Sequence, residues 1–267
     1  MMNYISRYGF EFNPYIKDSK EVTVETSQYR EVKTRLDTLL QFKGFGLLTG
    51  QSGMGKTTAV RNWSKSLNQA AYKIIYISLS TLTVMEFYRM MAEKLGYEPA
   101  FRKNENFRII QSAIERYVIE KRMIPVFILD EANYMKNATL NDLKILFNFE
   151  MDSVNRAVVL LTGLPQLNTT LRLASHEPLA QRITMNYTIR PLNVEESRSY
   201  LLEKQKKAGS HMEVFEGNAL EAIAGAANGV PRMLDKIANR SLMIGNSLNQ
   251  NIITTDIVMK TVDDIQI

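Results

Sequence analysis

The run Gly50-Gln51-Ser52-Gly53-Met54-Gly55-Lys56-Thr57 meets the spacing G-x-x-x-x-G-K-[ST] at every defined position. Glycines there let the backbone turn tightly and aim N–H groups inward at phosphate oxygens. A helix opening at Lys56 adds the positive end of its dipole. The Lys56 ammonium reaches β- and γ-phosphates, and the Thr57 hydroxyl offers a ligand to Mg2+, with Thr58 beside it in the same first turn. Asp130 and Glu131, which close the apolar run Pro125-Val-Phe-Ile-Leu129, supply the complementary half. Asp130 can hold Mg2+, directly or through water, while Glu131 orients and polarises an attacking water. The two halves together point to binding and hydrolysis of ATP with Mg2+ as cofactor.

Other residues carry more open readings. Thr162 ends the apolar run Ala157-Val-Val-Leu-Leu161. It suits positioning the water or sensing the γ-phosphate, and it suits equally a hydroxyl that satisfies the strand-end backbone. Arg182 in LAQRI and Arg232 in GVPRMLDKI are the arginines singled out downstream. An arginine from a neighbouring subunit can stabilise charge on a transferring γ-phosphoryl group; a surface ion pair is the alternative, and spacing does not choose. The segment Phe101 to Arg108 places Arg102, Lys103 and Arg108 among polar and aromatic residues between two expected helices. A loop of this kind projects cations onto DNA phosphates without reading bases; equally it is a polar connector anchored by its aromatics. Ser80, Thr81 and Thr83 could touch phosphate too, although such a cluster more often caps the next helix.

These residues need a parallel sheet to hold them. Strands are expected at 45–49, 73–78, 125–130 and 157–162, the last two being continuous apolar runs of the kind buried on both faces. Helices are expected at 27–40, 56–69, 83–95, 106–122 and 139–153, so strands alternate with crossovers and the fold class is α/β. From about Pro191 only helical spacing continues, at 194–208, 218–227, 231–244 and 255–262. The expected organisation is an N-terminal arm at 1–27, an α/β domain at 28–190 and a small helical lid at 191–267. The arm's Phe10, Phe12 and Tyr15 could pack on the α/β domain or dock on a neighbouring subunit. Trp63 and the methionines Met85, Met90 and Met91 read as core filling.

Composition narrows the classes further. The chain has 267 residues with no Cys and two His, which excludes disulfide scaffolds, thiolate nucleophiles and Cys-ligated metal centres. No apolar run approaches the roughly 20 residues that span a bilayer, and the opening lacks a signal-peptide hydrophobic region, so a soluble, cytoplasmic protein is expected. The net charge of +5 is unevenly spread: residues 41–123 carry 13 basic and 6 acidic groups, net +7. A local excess of this kind attracts polyanions, or simply forms a solvated face.

The order GQSGMGKTT, VFILDEA, VLLTGLPQL, LAQRI and GVPRMLDKI resembles an AAA+ ATPase. More narrowly, it is similar to the group of ExeA-type general-secretion ATPases and the transposition helper ATPases of transposons and phage Mu. The opening GFEFNPY and the stretch SQYREVKTRLDTLL share that resemblance. It implies a P-loop sheet flanked by helices with a helical lid, and roles at matching positions. Lys56 and Thr57 belong to Walker A, Asp130 and Glu131 to Walker B, and Thr162 is sensor 1. Arg182 is the arginine finger delivered in trans, with Arg172 as a possible substitute, and Arg232 is sensor 2. It also implies homo-oligomers, as rings or helical filaments. With no room for a membrane span or further module, the expectation is a helper that binds duplex DNA with ATP and directs a transposase. The alternatives are a secretion or envelope-assembly ATPase and a nucleotide-gated switch with negligible turnover.

Overall fold

The computed structural model describes residues 4–17, 19–78 and 81–265. The chain divides into two compact units: the described parts of 31–52 and 56–189, and those of 1–30, 53–55 and 190–267.

The first unit is built on a five-stranded parallel sheet in the order β2-β3-β4-β1-β5. Its strands are β1 (Gly44–Thr49), β2 (Tyr72–Ser78), β3 (Ile124–Asp130), β4 (Val158–Gly163) and β5 (Ile183–Thr188). The helices are numbered through the chain: α1 (Tyr4–Arg7), α2 (Ser27–Phe42), α3 (Lys56–Ser66), α4 (Val84–Lys94), α5 (Lys103–Ile119), α6 (Asn137–Leu146), α7 (Gln166–Leu171) and α8 (Glu177–Ala180). Central strands β1 and β4 are buried at every position, which is why their sequences, GFGLLT and VVLLTG, carry no charged residue. Phe45, Ile75, Phe127 and Val159 stand in register on one face of the sheet and pack with Phe87 and Phe147 into one core. Trp63 is buried and donates its indole N–H to Asp37 at 2.9 Å, and Met91 is fully buried, as core filling requires.

Four expected strands are present within a residue of their expected ends. The fifth, β5, was not anticipated: its sequence ITMNYT buries only Met185 and forms a sheet edge beside β1. A half-buried edge strand lacks the apolar signature of its neighbours. The helix expected at 139–153 ends at Leu146 and is followed by a turn in which Glu150, Met151 and Asp152 all have positive φ. The helix expected at 106–122 starts earlier, at Lys103, so Lys103 and Arg108 stand on α5 and not in a connecting loop.

The second unit carries α9 (Val194–Lys207), α10 (Gly217–Ala227), α11 (Pro231–Ser247) and α12 (Thr255–Ile265) around its own core. The N-terminal segment is part of it: Tyr8, Phe10 and Tyr15 are buried beside Leu201, Phe215 and Leu234, with Phe12 packed partly against them. The Tyr15 hydroxyl donates to the Leu201 carbonyl at 3.2 Å. Lys204, itself buried, lies over the Tyr15 and Tyr200 rings and pairs with Asp235 at 2.8 Å. Burial pushes the Asp235 carboxyl above its ordinary range, against the opposing pull of the Lys204 ammonium. Among the described residues, no helix is long and apolar enough to cross a membrane.

Candidate nucleotide-binding site

Strand β1 delivers the chain to Gly50 at the carboxyl edge of the sheet, and α3 begins six residues later at Lys56. Between them Gly53 and Gly55 take φ of +83° and +84°, a region L side chains rarely adopt. A Cβ on Gly53 would also lie 2.8 Å from the Cβ of Arg232, so this position is restricted to glycine twice over. The first turn of α3 leaves its backbone N–H groups without helical partners, as every helix start does. Lys56 is buried and its Nζ donates to the carbonyls of Gly50 at 2.7 Å and Gln51 at 3.0 Å. The ammonium is thus held inside the loop that a phosphate would occupy.

Strand β3 brings Asp130 to the same edge, and four donors converge on its buried carboxylate. Oδ2 accepts from the Thr57 hydroxyl at 3.1 Å and from the Tyr76 hydroxyl at 3.0 Å. Oδ1 accepts from the Glu131 backbone N–H at 3.0 Å and from the Thr162 hydroxyl. Thr162 is itself buried, in the strand next to β3. Immediately after Asp130 the backbone of Glu131 turns left-handed, φ 57° and ψ 36°, which swings its side chain out of the strand direction. Such a conformation in a non-glycine residue costs energy and persists where surrounding structure imposes it. The chain continues through a short 3-10 turn, Ala132–Tyr134, in which Asn133 Oδ1 accepts the Leu164 backbone N–H at 2.9 Å.

The structure therefore brings Lys56, Thr57, Asp130, Glu131 and Thr162 together at one sheet edge. Thr57 and Asp130 present hard oxygen donors suited to Mg2+. Among the described residues no group of three or more His, Cys, Asp or Glu could hold a metal. In a phosphate site Mg2+ needs only one or two protein oxygens, because phosphates and waters complete its shell. Tyr76 and Asn133 went unnoticed in the sequence. Burial and then the Asp130 charge push the Tyr76 phenol above its ordinary range. Only the strand order, with β2 next to β3, places Tyr76 within reach of Asp130.

Arg182 and Arg172 make their contacts elsewhere. Arg182 follows α8, donates to the Lys144 carbonyl at 2.5 Å and pairs with Asp152 at 2.6 Å. It lines a cavity of about 740 Å3 together with Phe107, Gln111, Ile145 and Pro178. Arg172 is exposed at the end of α7. Arg232 enters α11 behind Pro231, and within its own unit its backbone N–H donates to the Gly53 carbonyl at 3.2 Å.

Arg102 is exposed and precedes α5, with its N–H donated to Glu105, and Arg108 is exposed six residues further on. Lys103 pairs with Asp142 at 2.5 Å and lies 5.3 Å from the Tyr88 ring centre. Phe101 is 89 % exposed, so it does not anchor this segment, whereas Phe107 packs against the core. Thr83 forms a capping box with Glu86 at the start of α4, and Thr81 is exposed. Ser80 lies outside the described residues.

Comparison with known proteins agrees with this geometry. Residues 40–171 match the family model described as an AAA domain. General secretion pathway protein A of Aeromonas hydrophila is 29% identical over 203 residues, covering 75% of this chain. The chain spans about 37% of that relative's length. Among solved structures, the Aeropyrum pernix ORC2 protein superposes with a TM-score of 0.70 at 17% identity, over 96% of this chain and 72% of that one. The Drosophila ORC bound to DNA gives 0.70 at 16%, over 98% and 65%. The Thermotoga maritima RuvB Holliday junction branch migration motor gives 0.60 at 21%, over 90% and 69%. At these identities the structural likeness establishes the fold.

Proposed function

We propose that this chain, which has the P-loop AAA+ fold and matches the AAA domain model at residues 40–171, binds ATP with Mg2+ and hydrolyses it while engaged on DNA. The observation that carries the catalytic part is the convergence of Thr57, Tyr76, Thr162 and the Glu131 N–H on Asp130, next to a buried Lys56. In this reading the loop from Gly50 through Thr58, Gln51, Ser52 and Met54 included, wraps the phosphates with backbone N–H groups. Lys56 exchanges its two carbonyl partners for phosphate oxygens. Bound Mg2+, held by Thr57 and Asp130, would neutralise charge on the phosphates. Glu131, free of the strand, accepts a proton from the attacking water. Thr162 keeps Asp130 in register with that water. Arg182 is offered to the γ-phosphate of a second copy on release from Asp152, with Arg172 as the competing candidate, and Arg232 senses nucleotide from α11.

The finer reading is a helper of DNA transposition: ATP drives assembly of a homo-oligomer on duplex DNA, and the assembled protein presents that DNA to a transposase. The exposed Arg102 and Arg108, in the one segment with excess positive charge, support the DNA contact, with Lys103 beside them. So does the likeness to an ORC assembly solved on DNA. A second reading is favoured by the General secretion pathway protein A relative: an ATPase whose partner belongs to a secretion or envelope apparatus. Duplex-DNA binding with ATP, with ADP and without nucleotide, across a salt series, separates the two. The DNA reading expects ATP-dependent, salt-sensitive binding, and an Arg102→Ala, Arg108→Ala variant that loses about 2 units of slope in log affinity against log salt. Absence of binding at low salt in every nucleotide state contradicts it.

A further inference from the structure

The Asp130 carboxylate has one partner that its assigned neighbours do not explain. Strand β2 is an edge of the sheet and lies beside β3, with Ser78 opposite Asp130 and Tyr76 opposite Ile128. Tyr76 thus reaches two residues forward along the strand to place its hydroxyl 3.0 Å from Asp130 Oδ2. Its ring is 45% exposed, so core packing does not force the contact. The four donors divide in pairs: Thr162 and the Glu131 N–H on Oδ1, Thr57 and Tyr76 on Oδ2. The Oδ2 pair is the one next to the candidate metal ligand Thr57. A threonine hydroxyl can give its oxygen to a cation while still donating its proton to a carboxylate. Tyr76 is then the second donor on Oδ2 that fixes the orientation of the carboxylate. Groups that hydrogen-bond a ligating carboxylate in this way set its orientation and are felt in metal affinity.

We propose that Tyr76 is a positioning residue for the divalent cation, its hydroxyl holding Asp130 in the orientation in which Oδ2 faces Thr57. The inference rests on the ATP–Mg2+ reading above. It predicts an effect on the metal and not on nucleotide recognition as such.

The test titrates MgCl2 against the full chain at a fixed concentration of a fluorescent ATP analogue, for the wild type, Tyr76→Phe and Tyr76→Leu, with a parallel series in EDTA. Both variants are expected to need about tenfold more Mg2+ for half-maximal binding, with binding in EDTA and melting temperature unchanged. High Mg2+ should restore binding in both. An unchanged Mg2+ midpoint in Tyr76→Phe overturns the proposal, as does equal weakening with and without metal. A defect seen in Tyr76→Leu alone assigns the effect to the ring and overturns it as well. If wild-type binding does not respond to Mg2+ at all, the ATP–Mg2+ reading itself fails, a result distinct from a wild type that responds and a Tyr76→Phe that matches it.

Discussion

Replacing Thr162 by Val changes one hydroxyl into one methyl at a site that is 1% exposed. Shape is nearly conserved, so no cavity opens; what is lost is the donor to Asp130 Oδ1, which then keeps only the Glu131 N–H. A hydrogen bond to a charged acceptor is worth about 1.5–3 kcal/mol net. Burying the new methyl returns about 0.8 kcal/mol. The difference is a destabilisation of about 1–2 kcal/mol. For a unit of this size that is a fall of roughly 2–8 °C in Tm. Calorimetry on the full chain reads the shift, and steady-state ATPase assays on the same sample read the chemistry. If the hydroxyl serves only the strand end, Tm falls and turnover per folded molecule is unchanged. If it keeps Asp130 and the attacking water in register, turnover falls about 10- to 100-fold while ATP affinity holds. A Tm within about 1 °C of wild type, with normal turnover, refutes the claim that Thr162 supports Asp130 at all.

Two further outcomes are expected. Asp235→Ala leaves Lys204 buried without its partner and should destabilise the helical unit by about 3–5 kcal/mol, whereas Lys204→Met with Asp235→Leu should be neutral or stabilising; thermal denaturation of the three chains decides this. Arg182→Ala, mixed with a hydrolysis-deficient but finger-intact chain, should recover ATP turnover only if Arg182 acts across subunits; recovery with Arg172→Ala and none with Arg182→Ala would move the role to Arg172.

The parts legible in the sequence were those in which chemistry dictates both residue type and local spacing. The glycines of the loop, Lys56, Thr57 and the Asp130–Glu131 pair fall in one strand–turn–helix and one strand end, and β3 and β4 announce themselves because burial on both faces demands apolar residues throughout. Tyr76 was not legible, because its role depends on β2 lying next to β3, and strand order is a long-range property. β5 was missed for the reason edge strands often are: half its side chains face water. The start of α5 was misplaced because Arg102 is a poor cap by type, while Glu105 closes the helix start through a backbone N–H. The aromatic residues of the N-terminal segment gave no direction; the structure buries Tyr8, Phe10 and Tyr15 in the core of the helical unit.

In the function proposed here, the loop around Lys56 and the carboxylates after β3 form an ATP–Mg2+ site that turns over. Its most direct test is a paired measurement of ATP binding and hydrolysis in the wild type, Lys56→Ala and Glu131→Gln. Mg2+-dependent binding is expected of the wild type, binding weakened roughly a hundredfold of Lys56→Ala, and wild-type affinity with hydrolysis nearly abolished of Glu131→Gln. Wild-type turnover by Glu131→Gln, or undiminished binding by Lys56→Ala, would contradict the proposed function.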